Sequence, residues 1–300
     1  MHKKFIVNKD YHNSRFDRWF KQNISNVPQS LIERLVRKKK IKINKKRVKT
    51  SYRVQFNDIV ELHGTEDFKP NNKSKREKYI PSEKEKGEYG NFVIENNDNF
   101  IVINKPSGIS VQAGTKSFKN IIDILKDTKY FQHSKPFVVH RLDKETSGVM
   151  IVAKNREYAQ LFTSLFRIRK MHKTYLAIIH GSVKKDLKLL EDNLISYEGK
   201  KKVVQKAISY LRVLKRNDEY SLLELKPITG RKHQLRKQLY NIGKPILGDD
   251  KYFIKKRYGK NKLMLHAHKI KFMIDNIKYN FIANYSSEFE TFLKKYFKFY

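Results

Sequence analysis

The sequence predicts an α+β protein in two parts, and three observations carry that prediction. Several apolar runs of strand length follow one another without a helix between them, which a doubly wound α/β fold does not allow. Other segments repeat apolar residues at helical spacing. Between an N-terminal group of such segments and a longer C-terminal group lies a stretch in which the periodicity stops.

Residues 14 to 62 read as a small α/β module inside a first domain of residues 1–63. Phe16, Trp19, Phe20 and Ile24 recur at helical spacing, and a second helix follows Pro28 with Leu31, Ile32, Leu35 and Val36 on one face. Ile41 and Ile43 alternate with lysines, and Val54, Ile59, Val60 and Leu62 form a closing strand. From Gly64 to Gly90 the chain carries Pro70, Asn71, Asn72 and Pro81 among balanced charges, which predicts a flexible linker over 64–90. The second domain, 91–300, opens with a strand from Asn99 to Ile103 that stops at Lys105-Pro106-Ser107-Gly108. Val149 to Ala153 is a further strand, followed by a helix with Tyr158, Leu161, Phe162, Leu165 and Phe166 on its apolar face. Strands are expected at 175–179, 207–214 and 220–225. A helix is expected to begin near Arg231, with Leu235, Leu239 and Ile242 on one face and Gly243 at its C-terminal cap. Residues 269–274 and 277–282 form a hairpin, and 286–297 a closing helix.

Composition narrows the function. The 300 residues include 66 Lys and Arg against 30 Asp and Glu, a formal charge of +36, with 39% hydrophobic residues. That apolar content supports a packed core, and a surplus of this size repels itself unless the partner is a polyanion. Lys and Asn are abundant throughout, as an AT-rich genome would give. Such drift does not explain the ten basic residues and no acid between Arg34 and Lys49. No apolar run approaches the roughly 18 residues of a membrane span, and the start MHKKFIVNKD lacks the apolar stretch of a secretory signal. No cysteine is present, which excludes a disulfide scaffold and any cysteine-based zinc site or nucleophile, and no clustered His-carboxylate motif suggests a metal. The expectation is a cytoplasmic, monomeric, nucleic-acid-binding protein without membrane contact.

Ser14-Arg15-Phe16-Asp17, Leu31-Ile32-Glu33-Arg34, the run Arg37 to Asn44 and Phe56-Asn57-Asp58-Ile59-Val60 resemble the S4 RNA-binding domain. The resemblance implies RNA contacts from Arg15, Arg34, Arg37, Lys38, Lys40 and Lys42. At the turn after the second helix, where such domains carry glycine, this chain has Lys39, a residue that adopts positive φ at a cost.

The most informative segment for chemistry is His140-Arg141-Leu142-Asp143-Lys144-Glu145-Thr146-Ser147-Gly148. A carboxylate two residues from an arginine, in a polar turn before a strand, suits an ionised acid. On physics alone it equally suits an ordinary loop in which Asp143 caps the turn. The pattern His-Arg-Leu-Asp-x-x-Thr-Ser-Gly resembles the signature of the RluA/RluC/RluD family of pseudouridine synthases. Further matches occur in the family's order: Asn104 to Gly108, Lys173 to Ala177, Thr229 to Arg236, Pro245 to Asp249, and Leu265-His266-Ala267.

The resemblance implies a mixed, mainly antiparallel sheet flanked by helices, and isomerisation of uridine in RNA without cofactor or metal. It implies Asp143 as the catalytic residue, acting at the ribose or at the uracil ring. Tyr175 would stack under the flipped base, Arg231 would pair with Asp143, and Arg141 and Leu265 would complete the site. Lys105 would contact RNA from the substrate-side turn. His140 and His233 are read as neutral histidines holding loops, without acid–base roles. Two departures from the family's helix pattern are Lys232 and Gln238, the latter standing where a histidine packs. Asn44 to Arg47 and Lys105 to Val111 resemble the type C branch, which acts on 23S ribosomal RNA. The alternatives are a synthase acting on tRNA, a non-catalytic RNA-binding ribosome-assembly factor, and, less compatible with a basic module, a nucleoside hydrolase.

Overall fold

A computed structural model describes residues 2–64, 79–113, 118–184, 186–198, 201–253 and 262–298. The chain divides into two compact units between Lys78 and Tyr79.

In the first unit, strands β1 (His2–Ile6), β5 (Ile59–His63) and β3 (Ile41–Ile43) form an antiparallel sheet in that order, and β2 (Ser14–Arg15) pairs with β4 (Arg53–Val54). Helices α1 (Phe16–Asn23) and α2 (Gln29–Arg37) bury Phe16, Trp19, Phe20, Ile32, Leu35 and Val36 against Ile41, Ile43, Val54, Val60 and Leu62. These are apolar positions that the helical and strand spacings select; of the others selected, Ile24 and Leu31 are partly buried and Ile59 is exposed. After α2 the chain takes the left-handed conformation at Lys39 (φ 59°). The Lys39 N–H donates to Val36 O at 3.1 Å and the Lys40 N–H to Leu35 O at 3.0 Å, which completes a Schellman turn without glycine.

The second unit begins earlier than the sequence predicts. Helix α3 (Glu83–Gly90) lies where a linker is expected, and Tyr79 and Tyr89 pack on the apolar core of this unit. Its sequence, EKEKGEYG, has no apolar face, so helical periodicity does not reveal it. Ser82 and Glu85 form a capping box instead, and Glu85 also accepts from the Tyr79 hydroxyl and pairs with Lys119. The rest of the expected linker, residues 65–78, lies outside the described residues.

Ten strands make the main sheet: β6 (Val93–Asn96), β7 (Phe100–Lys105), β8 (Phe137–Val138), β9 (Ser147–Ala153), β10 (His172–His180), β11 (Leu189–Glu198), β12 (Lys201–Arg216), β13 (Tyr220–Pro227), β14 (Leu265–Ile274) and β15 (Ile277–Ile282). Their order is β11-β12-β13-β10-β14-β9-β7-β6, with β15 on β14 and β8 on β9. Among the described residues the pair β9–β14 is parallel and the others are antiparallel, so the sheet is mixed and mainly antiparallel as expected. Helices α4 (Ile121–Lys126) and α5 (Arg156–Arg167) cover one core with β7 and β9, and α6 (Gln234–Asn241) and α7 (Ser287–Phe297) cover a second with β10 and β13. Helix α6 starts three residues after Arg231, because His233 is left-handed (φ 53°) and cannot be helical. No helix among the described residues is long and apolar enough to cross a membrane.

The two cores meet at the short parallel junction, where Ser147 and Gly148 face His266 and Ala267. Gly148 has φ +114°, and a Cβ there would lie 2.2 Å from Ala267 O, so no other residue fits. The Ser147 hydroxyl and the buried His266 Nδ1 are 2.9 Å apart across the same junction. On β14 one residue, His268, has no partner between Thr174 and Tyr175, and this bulge falls where Tyr175 packs against both cores.

Candidate active site

Asp143 sits in the turn that leads into β9, and the turn is held from below. The Thr146 N–H donates to Asp143 O at 3.1 Å, and the buried Leu142 pins the chain before it. The neighbouring turn at 105–109 binds the backbone that follows Asp143. The Gly108 N–H donates to Lys144 O at 2.9 Å and the Ser107 hydroxyl to Glu145 O at 2.7 Å. Lys105 is 0% exposed, and its Nζ donates to Pro106 O at 2.7 Å, Ile109 O at 3.0 Å and Lys144 O at 3.1 Å. The expectation that Lys105 contacts RNA is therefore overturned: a lysine with no exposed surface and three carbonyl partners supports the Asp143 turn.

The Asp143 side chain remains 25% exposed. Two basic side-chain nitrogens lie within 4 Å of it among the described residues: His233 Nε2, 3.6 Å from Oδ1, and Arg236 Nη1, 3.9 Å from Oδ2. Both are longer than a hydrogen bond, so neither oxygen is tied. The cation beside Asp143 is thus Arg236 and not Arg231, whose Nε donates to Lys206 O on β12 at 3.2 Å. The reason lies in the start of α6. The Gln234 side chain takes the Arg231 N–H at 3.0 Å and the Thr229 hydroxyl at 2.7 Å, which fixes Arg231 in the turn before the helix, while Arg236 falls in the first turn of the helix, on its buried face.

Arg236 is 5% exposed and forms a two-pronged pair with the fully buried Asp249, Nε–Oδ2 at 2.7 Å and Nη2–Oδ1 at 2.6 Å. Burial alone would lower its pKa. The hydrogen bonds and charge of Asp249, joined by Asp143 and Asp250, outweigh that and raise it, so the guanidinium stays charged. Asp249 also accepts the N–H groups of Lys251 and Tyr252. Tyr252 lies under the guanidinium, 5.3 Å from ring centre to Cζ, and its hydroxyl is 3.0 Å from His233 Nδ1.

Burial pushes the Tyr175 pKa up, and the charge of Asp143 adds to it, so the phenol is neutral. Leu265 is buried on β14, and Arg141 is exposed. His140 accepts the Ile151 N–H at 2.9 Å and stacks on Phe166 with ring centres 4.7 Å apart; burial lowers its pKa to about 3. Gln238 is fully buried with each polar atom used: its Oε1 accepts the Ser209 hydroxyl at 2.7 Å and its Nε2 donates to Leu190 O and Ala207 O. A glutamine therefore fills this position without an orphaned polar group. Lys232 is exposed.

In the first unit Arg34, Arg37, Lys38 and Lys40 are exposed and Lys42 is half-buried. Arg15 is bound by Asp17 through both prongs, at 3.1 and 2.5 Å, so its fork is already occupied. Among the described residues no three His, Cys, Asp or Glu side chains cluster as a metal site would require.

The sequence reading names His233 only as a neutral loop-holding histidine, takes Arg236 and Asp249 only as parts of matched motifs, and does not name Tyr252. One signal was available: Arg236 precedes Leu239 by three positions, on the apolar face of the helix, where an arginine must find a carboxylate. Nothing in the local pattern names Asp249 as that carboxylate, 13 residues away.

Residues 99–241 match the family described as RNA pseudouridylate synthase, and residues 26–60 match the S4 domain. The chain is similar to the ribosomal large subunit pseudouridine synthase C of Buchnera aphidicola subsp. Schizaphis graminum, 31% identical over 89% of this chain and 88% of that one. It is 32% identical to the protein of that name from Haemophilus ducreyi, over 89% and 87% of the two chains. Among solved structures, human RNA pseudouridylate synthase domain containing 4 superposes with a TM-score of 0.60 at 26% identity, covering 70% of this chain and 94% of that one.

Proposed function

This chain belongs to the RNA pseudouridylate synthase family, and on that footing we propose that it converts specific uridines of 23S ribosomal RNA to pseudouridine, with Asp143 as the reacting carboxylate. The reaction is an isomerisation: the bond from N1 of uracil to C1′ breaks, a bond from C5 to C1′ forms, and the hydrogen on C5 is exchanged for one on N1. Nothing is gained or lost overall, so the protein has to supply a carboxylate, a place for the base to turn, and shelter from water.

The observation that carries the reading is the state of Asp143. Its carboxylate is reachable, and its oxygens face His233 and Arg236 at 3.6 and 3.9 Å without being bound by either. A carboxylate of purely structural use would be saturated by such neighbours, as Asp249 is. Here the arginine that holds charge beside Asp143 is anchored elsewhere, which leaves the carboxyl oxygens of Asp143 free to meet the nucleotide. A uracil paired in a helix cannot reach it, so the base is extruded at a cost of a few kcal/mol. Stacking on Tyr175 offsets about 1–3 kcal/mol of that cost. The exposed basic run of the S4 unit adds phosphate contacts that position the RNA without reading its sequence. The choice of 23S RNA rests on the large-subunit relatives, and the cytoplasm is where such an enzyme meets it.

The test is a pseudouridine map of 23S ribosomal RNA by carbodiimide labelling and primer extension, after incubation with the wild-type protein or with Asp143→Asn. Stops that appear with the wild type alone support the assignment. Equal stops with Asp143→Asn remove Asp143 as the reacting group, and stops on tRNA but not on 23S RNA move the substrate.

A further inference from the structure

The two oxygens of Asp143 face different partners, and the partner of Oδ1 is itself constrained. His233 presents Nε2 to Asp143 Oδ1 at 3.6 Å and Nδ1 to the Tyr252 hydroxyl at 3.0 Å. A carboxylate only accepts hydrogen bonds, so the tautomer that suits it carries its hydrogen on Nε2. In a neutral imidazole the other nitrogen then bears a lone pair, and an O–H is the group that satisfies it. Burial holds the His233 pKa down, partly countered by Asp143, and burial holds the Tyr252 pKa up. The ring therefore has one hydrogen to place, and Tyr252 has one to give. The backbone reinforces this arrangement. His233 sits in the left-handed region at φ 53°, a strained conformation for a histidine, kept where α6 begins. The Tyr252 N–H donates to Asp249 Oδ1 at 2.9 Å, so the carboxylate that anchors Arg236 also anchors Tyr252.

We infer that Tyr252 and His233 are positioning residues for Asp143: the Tyr252 hydroxyl locks His233 with its hydrogen on Nε2, and that N–H fixes Oδ1, so that Oδ2 is the oxygen presented to the uridine. The inference rests on the reading of Asp143 as the reacting carboxylate. In the free protein the N–H to Oδ1 distance is too long for a hydrogen bond, and it closes as the nucleotide takes its place, the behaviour expected of a contact that matters in the reacting complex. Without the phenol hydrogen the imidazole can place its hydrogen on Nδ1, and a lone pair then meets the carboxylate and turns it away.

The full-length protein tests this with Tyr252→Phe, which keeps the ring under Arg236 and removes only the hydroxyl. Turnover on 23S ribosomal RNA is expected to fall about 10-fold in kcat with KM within about twofold of wild type. The 15N spectrum of the ring nitrogens should change from a single tautomer, hydrogen on Nε2, to a mixture. His233→Leu should lose about 100-fold in kcat, and His233→Gln, with an amide N–H near the position of Nε2–H, should recover part of it. Wild-type kcat in Tyr252→Phe with an unchanged tautomer, or a loss confined to KM, overturns the inference. Asp143→Asn in the same assay separates the two levels. If it is inactive while the Tyr252 and His233 variants turn over normally, the positioning role alone falls; if it is active, the reading of Asp143 falls as well.

Discussion

A buried lysine and a pair of arginines show how residue type and placement part company in this molecule. Burial lowers the Lys105 pKa to about 7, with Glu145 and Asp143 opposing the shift. Three backbone carbonyls match the three hydrogens of its ammonium form, one of them belonging to the residue after Asp143. Lys105→Met leaves those carbonyls unpaired, and a loss of about 2–4 kcal/mol is expected in urea unfolding. Affinity for RNA in a filter-binding assay should be unchanged and kcat reduced, whereas a phosphate-binding lysine would show the opposite. The arginines separate in the same way. Arg231→Ala removes a bond to a strand carbonyl and should leave kcat within about threefold of wild type. Arg236→Lys keeps the charge but loses the fork that Asp249 grips, and a fall of about 10-fold or more in kcat is expected, measured on the same RNA.

At the scale of elements, sequence patterns find those segments whose apolar face is their own. α1, α2, α5 and α7, the strands at 147–153 and 172–180, and the hairpin β14–β15 lie within a few residues of the positions expected. Elements that depend on distant partners escape. α3 has no apolar stripe and is held by a capping box and two tyrosines. β11 carries Glu191, Asp192 and Asn193 in its centre and is fixed by pairing with β12. Lys39 illustrates a local departure that the fold tolerates. Its positive φ costs about 1–2 kcal/mol relative to glycine, so Lys39→Gly should raise the stability of the first unit by about 1 kcal/mol, read as a higher urea midpoint for the Trp19 fluorescence transition. A lower midpoint would mean that the lysine side chain contributes more than the turn costs.

For the whole molecule the surplus of positive charge is the property most directly tied to RNA, and the expected signature is salt dependence. Replacing Lys38, Lys40 and Lys42 together by alanine should reduce the slope of log affinity against log salt by about 2–3, at roughly 0.7–0.9 for each phosphate no longer neutralised. Fluorescence titrations of 23S RNA fragments over a salt series measure it, and an unchanged slope would mark this run as a solvated face. The α+β class and the two-part chain follow from apolar spacing, and the mixed sheet and the turn bearing Asp143 from the ordered motifs that resemble the family, because spacing and motifs are both local properties. The partners of Asp143 do not. Arg231 and Arg236 are five residues apart in one motif, and their different fates turn on where α6 starts, on Gln234 bonding backward, and on a carboxylate at 249 that comes close only when the chain folds. The same holds for Gly148, required because β14 passes against it, and for Lys105, whose burial depends on a loop 39 residues downstream. Composition and local pattern say which residues are available for the chemistry. Which of them share a site is set by the fold, since desolvation and charge pairing act between groups that are distant along the chain.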